Sequence, residues 1–269
     1  MKITILGPQG TFSHEAALKL GSGAEIDFQR TIRDVFETVE KGQDKVGLVP
    51  IENSVGGTVA ETLDTLNGSK LTVERELIHP VIHYLASKGE SNNITRIFTH
   101  PQSYAQCENY VRDHFPGAEV IQTSSNGRSA EMLKADDNPG TAAIVPALAL
   151  ELYGLTAVAD SIQDNRYNVT RFVMISSNTT ESTGYDRTSL SIYPRVDYPG
   201  LLHEMLGKMA ALGVNLSKIE SRPSKGRLGD YIFYMDVQGH IRDQRVAEAV
   251  LELEKMAFVR ILGSFPRQY

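Results

Sequence analysis

The sequence predicts an α/β protein of two domains, and three features of the chain lead to that prediction. Short β-branched runs alternate with helix-like stretches from residue 1 to about 176, a pattern typical of an α/β domain with largely parallel strands. A polar segment, residues 176–184, follows and contains almost no large apolar side chain to bury. After it comes the order strand, helix, strand, strand, helix, strand, which is the ferredoxin-like βαββαβ topology.

Composition and charge restrict the class of function. The 269 residues are 41% apolar and 22% charged, as in an ordinary globular protein with a packed core. A net charge of −6 without a run of Lys or Arg argues against a nucleic-acid surface. No stretch is apolar enough for a membrane span, and the first apolar run is too short for a signal peptide. We expect a cytoplasmic protein whose partners are small molecules.

Ten segments are the predicted strands of the first domain, because each is β-branched or apolar and ends at a turn or helix signal. They are residues 3–6, 26–29, 46–50, 71–74, 81–86, 97–99, 120–123, 142–145, 157–159 and 172–175. Helices fit between them. The clearest helix start is Thr31, whose hydroxyl can accept a backbone N–H, and Gly42 ends that helix.

The second domain is predicted from residue 188 to residue 269, after a linker at 177–187, which leaves residues 1–176 as the first domain. Its strands are residues 188–196, 215–221, 231–237 and 259–262, and its helices are residues 200–212 and 242–255.

The cysteines and histidines of the sequence do not predict a metal site. Cys107 is the only cysteine, which excludes an intrachain disulfide, and the absence of a basic neighbour in the sequence favours a buried, inert thiol. His79 and His83 are four residues apart, but Pro80 and the strand pattern remove the helical face that a metal-binding pair needs. We therefore expect no bound metal.

Four strand ends of the first domain carry polar groups, and ligands of open α/β sheets bind at the carboxyl ends of strands. In the first, residues 7–13, the hydroxyls of Thr11 and Ser13 and free backbone N–H groups could bind an anion. The alternative is an ordinary turn with Ser13 as the N-cap of the next helix. The glycine spacing matches neither a phosphate loop nor a dinucleotide turn.

The second and third strand ends have both a binding and a structural interpretation. Asn53 and Ser54 follow the strand at 46–50 and either bind a ligand or cap a turn. In the third, Gln102 or Ser103 opens a helix, and His100 is either structural or part of a site.

The fourth strand end, residues 164–172, combines amide, hydroxyl, guanidinium and aromatic groups, as a small anionic carbocycle requires. The alternative is a polar loop with a solvated Arg171. Because four such ends occur in one domain, the sequence favours a ligand cleft.

In this order, the four segments resemble the prephenate dehydratase family. The matching motifs are GPQGTFS at 7–13, PIENS at 50–54, HPQ at 100–102 with Gln106-Cys107, and NVTRF at 168–172. The resemblance implies an enzyme that converts prephenate to phenylpyruvate, water and carbon dioxide for L-phenylalanine biosynthesis, without a cofactor. It also implies a catalytic domain like a two-lobed periplasmic binding protein, with crossings between the lobes near residues 75–85 and 157–165.

The resemblance also assigns roles to residues. Thr170 is expected to donate to the leaving hydroxyl, with His100 or Glu52 as a source of the proton, and Arg171 either pairs with a carboxylate or anchors its strand. The expected substrate-binding residues are Thr11, Phe12, Ser13, Asn53, Ser54, His100, Gln102, Asn168 and Arg171.

The second domain resembles an ACT domain that binds phenylalanine as an allosteric effector, and ACT domains usually pair, which implies a homodimer or a dimer of dimers. The expected effector-binding residues are Gly200, Leu201, Leu202, Asn215, Glu220, Ser221 and Arg222. Two departures from the family pattern are Pro146, which is expected to begin a helix, and Leu201, which replaces a smaller residue and could narrow the effector pocket.

Two other functions fit the sequence less well. Arogenate dehydratase carries out the same elimination on a substrate with an amine in place of the keto group. A non-catalytic small-molecule sensor can share the two-lobed fold, since fold does not determine function. An exported binding protein would need a signal peptide and a gene regulator a basic helix-turn-helix, and the sequence shows neither.

Overall fold

The computed structural model describes residues 2–21, 23–42, 45–88, 93–224, 226 and 229–269. They form two compact units. The first comprises the residues up to Thr62 together with Leu77–Phe172, and the second comprises Leu63–Glu76 together with Val173–Tyr269. None of the helices in these described ranges is long and apolar enough to cross a membrane.

A six-stranded sheet begins the fold. Its strands are β1 (Lys2–Leu6), β2 (Glu25–Gln29), β3 (Lys45–Asn53), β4 (Gly57–Thr58), β5 (Thr72–Pro80) and β11 (Val169–Ser176), and its helices are α1 (Phe12–Leu20), α2 (Ile32–Glu40) and α3 (Ala60–Gly68). The strand order is β2-β1-β3-β11-β5, with β4 on β3. β1 is parallel to β2 and β3, so their carboxyl ends share one edge. Thr31 caps α2 in a capping box with Asp34, as predicted.

A five-stranded sheet forms the second lobe of the first unit. Its strands are β6 (Tyr84–Ser87), β7 (Arg96–Thr99), β8 (Glu119–Gln122), β9 (Thr141–Val145) and β10 (Thr156–Ala159), and its helices are α4 (Pro101–Ala105), α5 (Glu108–His114), α6 (Asn126–Ala135) and α7 (Ala147–Tyr153). The order is β10-β6-β9-β7-β8. Leu85 and Ala86 belong to different apolar clusters because successive side chains of a strand point to opposite faces. Pro146 immediately precedes α7, as expected.

The chain passes between the two sheets twice. It leaves the first sheet after Pro80 and enters the second at Tyr84, then leaves the second after Ala159 and returns at Val169. Two α/β lobes joined by two crossings form the two-lobed architecture that the family resemblance implied.

One predicted strand boundary was wrong. The sequence placed strands at 71–74 and 81–86, but a single strand runs from Thr72 to Pro80 and the next begins at Tyr84. β5 continues through a charged residue: the side chain of Glu76 is fully buried 3.4 Å from the guanidinium of Arg187. A paired charge can be buried where an isolated charge cannot.

The βαββαβ module follows in the second unit, and its predicted topology is confirmed. Its elements are β12 (Asp186–Pro194), α8 (Leu201–Ala211), β13 (Leu216–Pro223), β14 (Tyr231–Gln238), α9 (Gln244–Glu254) and β15 (Ala257–Pro266). The antiparallel sheet has the order β13-β14-β12-β15. Apolar residues of both helices and of the sheet share one core, including Leu190, Met205, Met235 and Leu253.

Candidate active site

A small polar cavity of about 70 Å³ lies in the first unit, and both of its sheets contribute side chains. Its lining consists of Phe12, Asn53, Val81, His83, His100, Gln102, Ser103, Gln106, Asn126 and Thr170. Each of the four strand-end segments singled out in the sequence supplies at least one of these residues. The topology therefore brings together groups that are up to 158 positions apart in the chain.

Asn53 lies at the end of β3 with its amide orientation fixed. Its Oδ1 accepts the backbone N–H groups of Val55, at 3.0 Å, and Gly56, at 2.7 Å. Because backbone N–H groups can only donate, the oxygen of the amide must face them and the nitrogen must face the other way. That Nδ2 lies 2.8 Å from Asn168 Oδ1, 3.0 Å from Thr170 Oγ1 and 3.1 Å from the Val169 carbonyl, so its two hydrogens are shared among three acceptors.

The hydroxyl of Thr170 is consequently an acceptor toward Asn53. Its own hydrogen is left available to a ligand in the cavity that it lines. Thr170 is 8% exposed, so little water competes for this hydrogen.

A buried network continues from Asn168 to the second lobe. The Nδ2 of Asn168 donates to Gln106 Oε1 at 2.8 Å, and the same oxygen lies 2.9 Å from His83 Nε2. Asn168 does not line the cavity itself. It holds Asn53 on one side and Gln106 on the other, which makes it a link between the two sheets.

The third segment begins its helix earlier than expected. His100, and neither Gln102 nor Ser103, is the N-cap of α4, and its Nδ1 accepts the backbone N–H of Gln102 at 3.3 Å. The proline at the first helical position favours this start because its missing N–H costs nothing there. Burial lowers the pKa of His100, so the ring is neutral at neutral pH.

The side chain of Ser103 is hydrogen-bonded to that of Asn126, another residue of the cavity lining. Its Oγ donates to Asn126 Oδ1 at 2.7 Å, which leaves the amide nitrogen of Asn126 for a ligand. Asn126 is the first residue of α6, whose N-cap is Ser125. A Cβ on Gly127 would collide with the carbonyl oxygen of Gln9, so glycine allows α6 to approach the 7–10 turn.

The first segment is used differently from the prediction. Thr11, and not Ser13, is the N-cap of α1, because the Thr11 hydroxyl accepts the His14 N–H at 3.4 Å and donates to Pro8 O at 3.1 Å. Ser13 is buried and does not line the cavity. Phe12 does line it, with its ring 5.2 Å from that of His83 in an edge-to-face arrangement.

Two further predicted residues lie outside the cavity lining. Ser54 accepts the N–H of Val169 at 3.0 Å and donates to Tyr167 O at 3.3 Å, so it joins two strand ends. Arg171 is not solvated: its side chain is 4% exposed, and its guanidinium lies 3.7 Å from Glu52. The guanidinium of Arg171 is therefore next to a carboxylate of the protein itself.

Five residues of the cavity lining were not among the predicted site residues, namely Val81, His83, Ser103, Gln106 and Asn126. His83 was considered only as a metal ligand, and Asn126 was not considered. A usable signal existed for Asn126, because a polar Ser125-Asn126 pair follows a predicted strand end at 123 just as in the four recognised segments. No comparable signal existed for His83, whose role depends on Gln106 across the fold.

Two further titratable groups of the first unit, His79 and Cys107, lie outside the cavity lining. His79 Nε2 lies 2.9 Å from the Glu15 carboxylate. The Cys107 thiol is fully buried, and burial together with Asp164 raises its pKa, which agrees with an inert thiol. In the part of the chain that the structure describes, no three His, Cys, Asp or Glu side chains are placed to hold a metal ion.

The predicted effector residues lie at the start of α8, just before β13 and along β13. Gly200 has φ +93° and precedes α8, while Leu201 is buried in the core and Leu202 packs against that core. Asn215 and Ser221 are exposed.

Glu220 and Arg222 are two positions apart on β13 and so share a face of the sheet. Their side chains lie 3.5 Å apart, and Arg222 also donates twice to Asp64 of α3, at 3.2 Å each. The Arg222 guanidinium is therefore paired with carboxylates of the protein.

Comparison with known proteins finds relatives that match both parts of the chain. Two family models match: prephenate dehydratase over residues 3–180 and ACT domain over residues 195–255. A bifunctional chorismate mutase/prephenate dehydratase of Aquifex aeolicus is 37% identical over 99% of this chain and 74% of its own length. A prephenate dehydratase of Lactococcus lactis is 35% identical over 98% of this chain and 97% of its own length.

A solved structure is also similar over almost the whole chain. The crystal structure of prephenate dehydratase from Arthrobacter aurescens in complex with L-Phe is 39% identical and superimposes with a TM-score of 0.91. It covers 99% of this chain and 90% of that protein. The sequence and structure comparisons thus point to the same family.

Proposed function

This chain belongs to the prephenate dehydratase family, as its motifs indicated, and we propose that its reaction takes place in the cavity lined by Asn53 and Thr170. The enzyme is a decarboxylating hydro-lyase that converts prephenate to phenylpyruvate, water and carbon dioxide. The observation that carries the proposed location is the Thr170 hydroxyl, which lines the cavity and accepts from Asn53, so that its own hydrogen is available to donate to a ligand.

The reaction determines what the site must supply. The bond between the ring and its carboxylate breaks, and its electron pair enters the ring as carbon dioxide leaves. The ring hydroxyl departs from the opposite carbon and becomes water when it gains a proton. Because the product ring is aromatic, the substrate itself provides the driving force. The protein has to hold the anion and assist the leaving oxygen.

Thr170 assists the leaving oxygen as a hydrogen-bond donor. A threonine hydroxyl is a weak acid, so its contribution is to stabilise the oxygen as charge develops and to relay a proton. Of the two residues considered as proton sources, His100 lines the cavity and Glu52 lies beside Arg171 instead. Position therefore favours His100, which as a neutral ring would relay a proton through Nε2–H, since its Nδ1 accepts the Gln102 N–H.

The substrate carboxylates are held by neutral donors. The cavity lining contains no Lys or Arg, but the side-chain amides of Gln102, Gln106 and Asn126 line it. Asn126 also stands at the start of α6, where backbone N–H groups favour an anion. Neutral donors in a buried site bind an anion more strongly than they would in water.

The assay that tests this function follows ring aromatisation by ultraviolet absorbance after purified protein is mixed with prephenate or, separately, with arogenate. We expect turnover of prephenate. Faster turnover of arogenate would transfer the assignment to that substrate. The enzyme assignment fails if neither substrate reacts while the protein is shown to be folded by circular dichroism.

The reaction should need no cofactor or metal, because neither electrons nor a group carrier enters it. We expect full activity after exhaustive chelation and gel filtration. A loss of activity that one particular metal restores would show that a metal site has been overlooked.

L-Phenylalanine is proposed as the effector of the second domain, with regulation through its βαββαβ module. Two findings support this: the ACT family model matches residues 195–255, and the Arthrobacter aurescens structure was solved in complex with L-Phe. The left-handed Gly200 before α8 leaves backbone N–H groups for a carboxylate. Ser221 and Asn215 are exposed. Leu201 is in the core, so it does not narrow a surface pocket.

The effector proposal is tested in the intact protein by calorimetry alongside inhibition. A shortened chain ending near Ser177 would remove Arg187 from the buried Glu76, so it is a poor control. We expect L-phenylalanine to bind and to lower activity, with a coupling free energy of about 1–3 kcal/mol. Absence of binding would refute the proposal. A cytoplasmic location and a homodimer or dimer of dimers are proposed with it, and light scattering tests the oligomeric state.

A further inference from the structure

The hydrogen-bond directions around the cavity can be followed from Asn53 to one buried histidine. Asn53 presents its Nδ2 to Asn168 Oδ1, since its own oxygen is fixed by two backbone N–H groups. Asn168 must therefore turn its Nδ2 to Gln106, and the acceptor there is Gln106 Oε1. An amide oxygen cannot donate, so its second neighbour, His83 Nε2, must carry a hydrogen.

This chain of contacts determines the tautomer of His83. Only an imidazole protonated at Nε2 satisfies Gln106 Oε1. A ring protonated at Nδ1 would place a nitrogen lone pair 2.9 Å from the oxygen lone pairs. Turning the Gln106 amide over would relieve that repulsion. It would, however, place the Gln106 Nε2 hydrogens against the Nδ2 hydrogens of Asn168, where neither group can accept. The network therefore has one consistent arrangement.

His83 is held rigidly in place. It is 1% exposed, its backbone N–H donates to Gln163 Oε1 at 3.0 Å, and the Phe12 ring packs edge-to-face against it. Burial lowers its pKa, against the opposing effects of the Gln106 hydrogen bond and of Glu15. A neutral ring with a single N–H is the form that the surroundings favour.

Gln106 benefits from having two donors on one oxygen. Its side chain has three rotatable bonds, and a single hydrogen bond from Asn168 would leave the amide able to swing. With Oε1 held from two sides, the amide plane is fixed and the Nε2 hydrogens are directed away from both partners, while the side chain lines the cavity.

We propose that His83 is a positioning residue for the dehydration, acting as an Nε2–H donor that fixes Gln106 and, through Asn168, the Asn53–Thr170 pair. This inference rests on the proposed function of the cavity. The proposed role of His83 depends on a hydrogen at one particular ring nitrogen, Nε2, and not on the size or polarity of the side chain.

Two substitutions distinguish the role of Nε2 of His83 from that of Nδ1. His83→Gln places an amide N–H near the former Nε2 and keeps the donor, whereas His83→Asn reaches only as far as the former Nδ1 and loses it. We expect kcat/KM of His83→Gln to stay within about 10-fold of wild type and that of His83→Asn to fall by about 100-fold, the scale of a misplaced group in an active site. Thermal unfolding of both variants measures any loss of packing.

The tautomer is measured directly, without activity. Long-range ¹H–¹⁵N correlation spectra of the folded protein should show His83 protonated at Nε2 and not at Nδ1. An Nδ1–H ring would overturn the proposal, and so would a His83→Asn variant as active as His83→Gln. If the wild-type protein turned over neither substrate, the proposed function would fail, yet the spectrum would still decide the direction of the network.

Discussion

At the residue scale, Asn53 makes the Thr170 hydroxyl a hydrogen-bond acceptor on one side, which leaves its hydrogen to be donated elsewhere. The Asn53 amide nitrogen lies 3.0 Å from Thr170 Oγ1, and its oxygen is occupied by Val55 and Gly56. A hydroxyl that accepts from one side donates on the other. Two substitutions test this arrangement at its two ends.

Removing the Thr170 hydroxyl should lower kcat much more than it changes KM. For Thr170→Ala we expect kcat to fall by roughly 10²–10⁴, the range for a positioned proton donor, or about 3–5 kcal/mol of transition-state stabilisation. Thr170→Ser keeps the hydroxyl and serves as the matched control, with a loss of less than about 10-fold. Steady-state kinetics with prephenate decides the matter. A near-normal kcat for the alanine variant would make Thr170 a structural residue.

Replacing Asn53 with Asp should impair catalysis without removing any atom position. A carboxylate can still accept from Val55 and Gly56, but it cannot donate, so the Thr170 hydroxyl would turn to donate to it. We expect kcat to fall by about 10²-fold, as for the loss of one preorganised donor. The kinetics of Asn53→Asp are compared with those of Thr170→Ser. Wild-type kcat in the aspartate variant would show that the hydroxyl direction is unimportant.

At the element scale, α3 belongs to both units and is held to β13 and β15 by two arginines. Arg222 of β13 donates to both oxygens of Asp64, and Arg260 of β15 donates to the Ser69 carbonyl just after α3. Tyr234 of β14 is buried nearby, and burial, with Asp64 adding to it, raises its pKa to about 12. The helix is therefore anchored by charge-assisted hydrogen bonds.

Asp64→Asn tests this anchor. The pair is about one-fifth exposed, so its loss should reduce the free energy of unfolding by about 1–3 kcal/mol. Glu131→Gln is the control, because its partner Arg128 is half-exposed and such pairs contribute less than about 1 kcal/mol. Denaturant titration measures both. Equal effects of the two substitutions would show that the Arg222–Asp64 bonds are no stronger than an ordinary surface pair.

At the scale of the whole molecule, three histidines of the first unit make stability depend on pH. Burial lowers the pKa of His14, His83 and His100 in the folded state below the ordinary value near 6.5. Below that pH the unfolded chain binds protons that the folded chain does not. Their contribution to stability is thus complete above about pH 7 and declines as the pH falls.

We therefore expect the free energy of unfolding to decrease between pH 7 and pH 5. A single group contributes at most about 1.4 kcal/mol per pH unit. His83→Gln removes one of the three, so its stability should vary less steeply with pH than that of the wild type. Guanidinium titrations at several pH values give both slopes. Parallel slopes would mean that His83 titrates alike in the folded and unfolded chains.

The sequence by itself determined much of the architecture. Alternating β-branched and helical runs predicted the α/β domain, the βαββαβ order predicted the second fold, and Thr31 with Asp34 marked a helix start that the structure confirms. These signals are local, since a capping box or a strand pattern depends on residues within one or two turns of each other. The ordered motifs likewise indicated the family, because they are read along the chain.

Only the tertiary structure decided which polar residues meet in the cavity. Asn53 and Thr170 are 117 positions apart, and Gln106 and His83 come from the other lobe. Ser54 and Arg171 stand beside cavity residues in the sequence but have other partners. Local sequence places a residue at a strand end, whereas the direction of its side chain depends on packing against elements far away in the chain. For the same reason, the sequence did not show that β5 continues through Glu76, whose buried partner Arg187 lies far away in the chain.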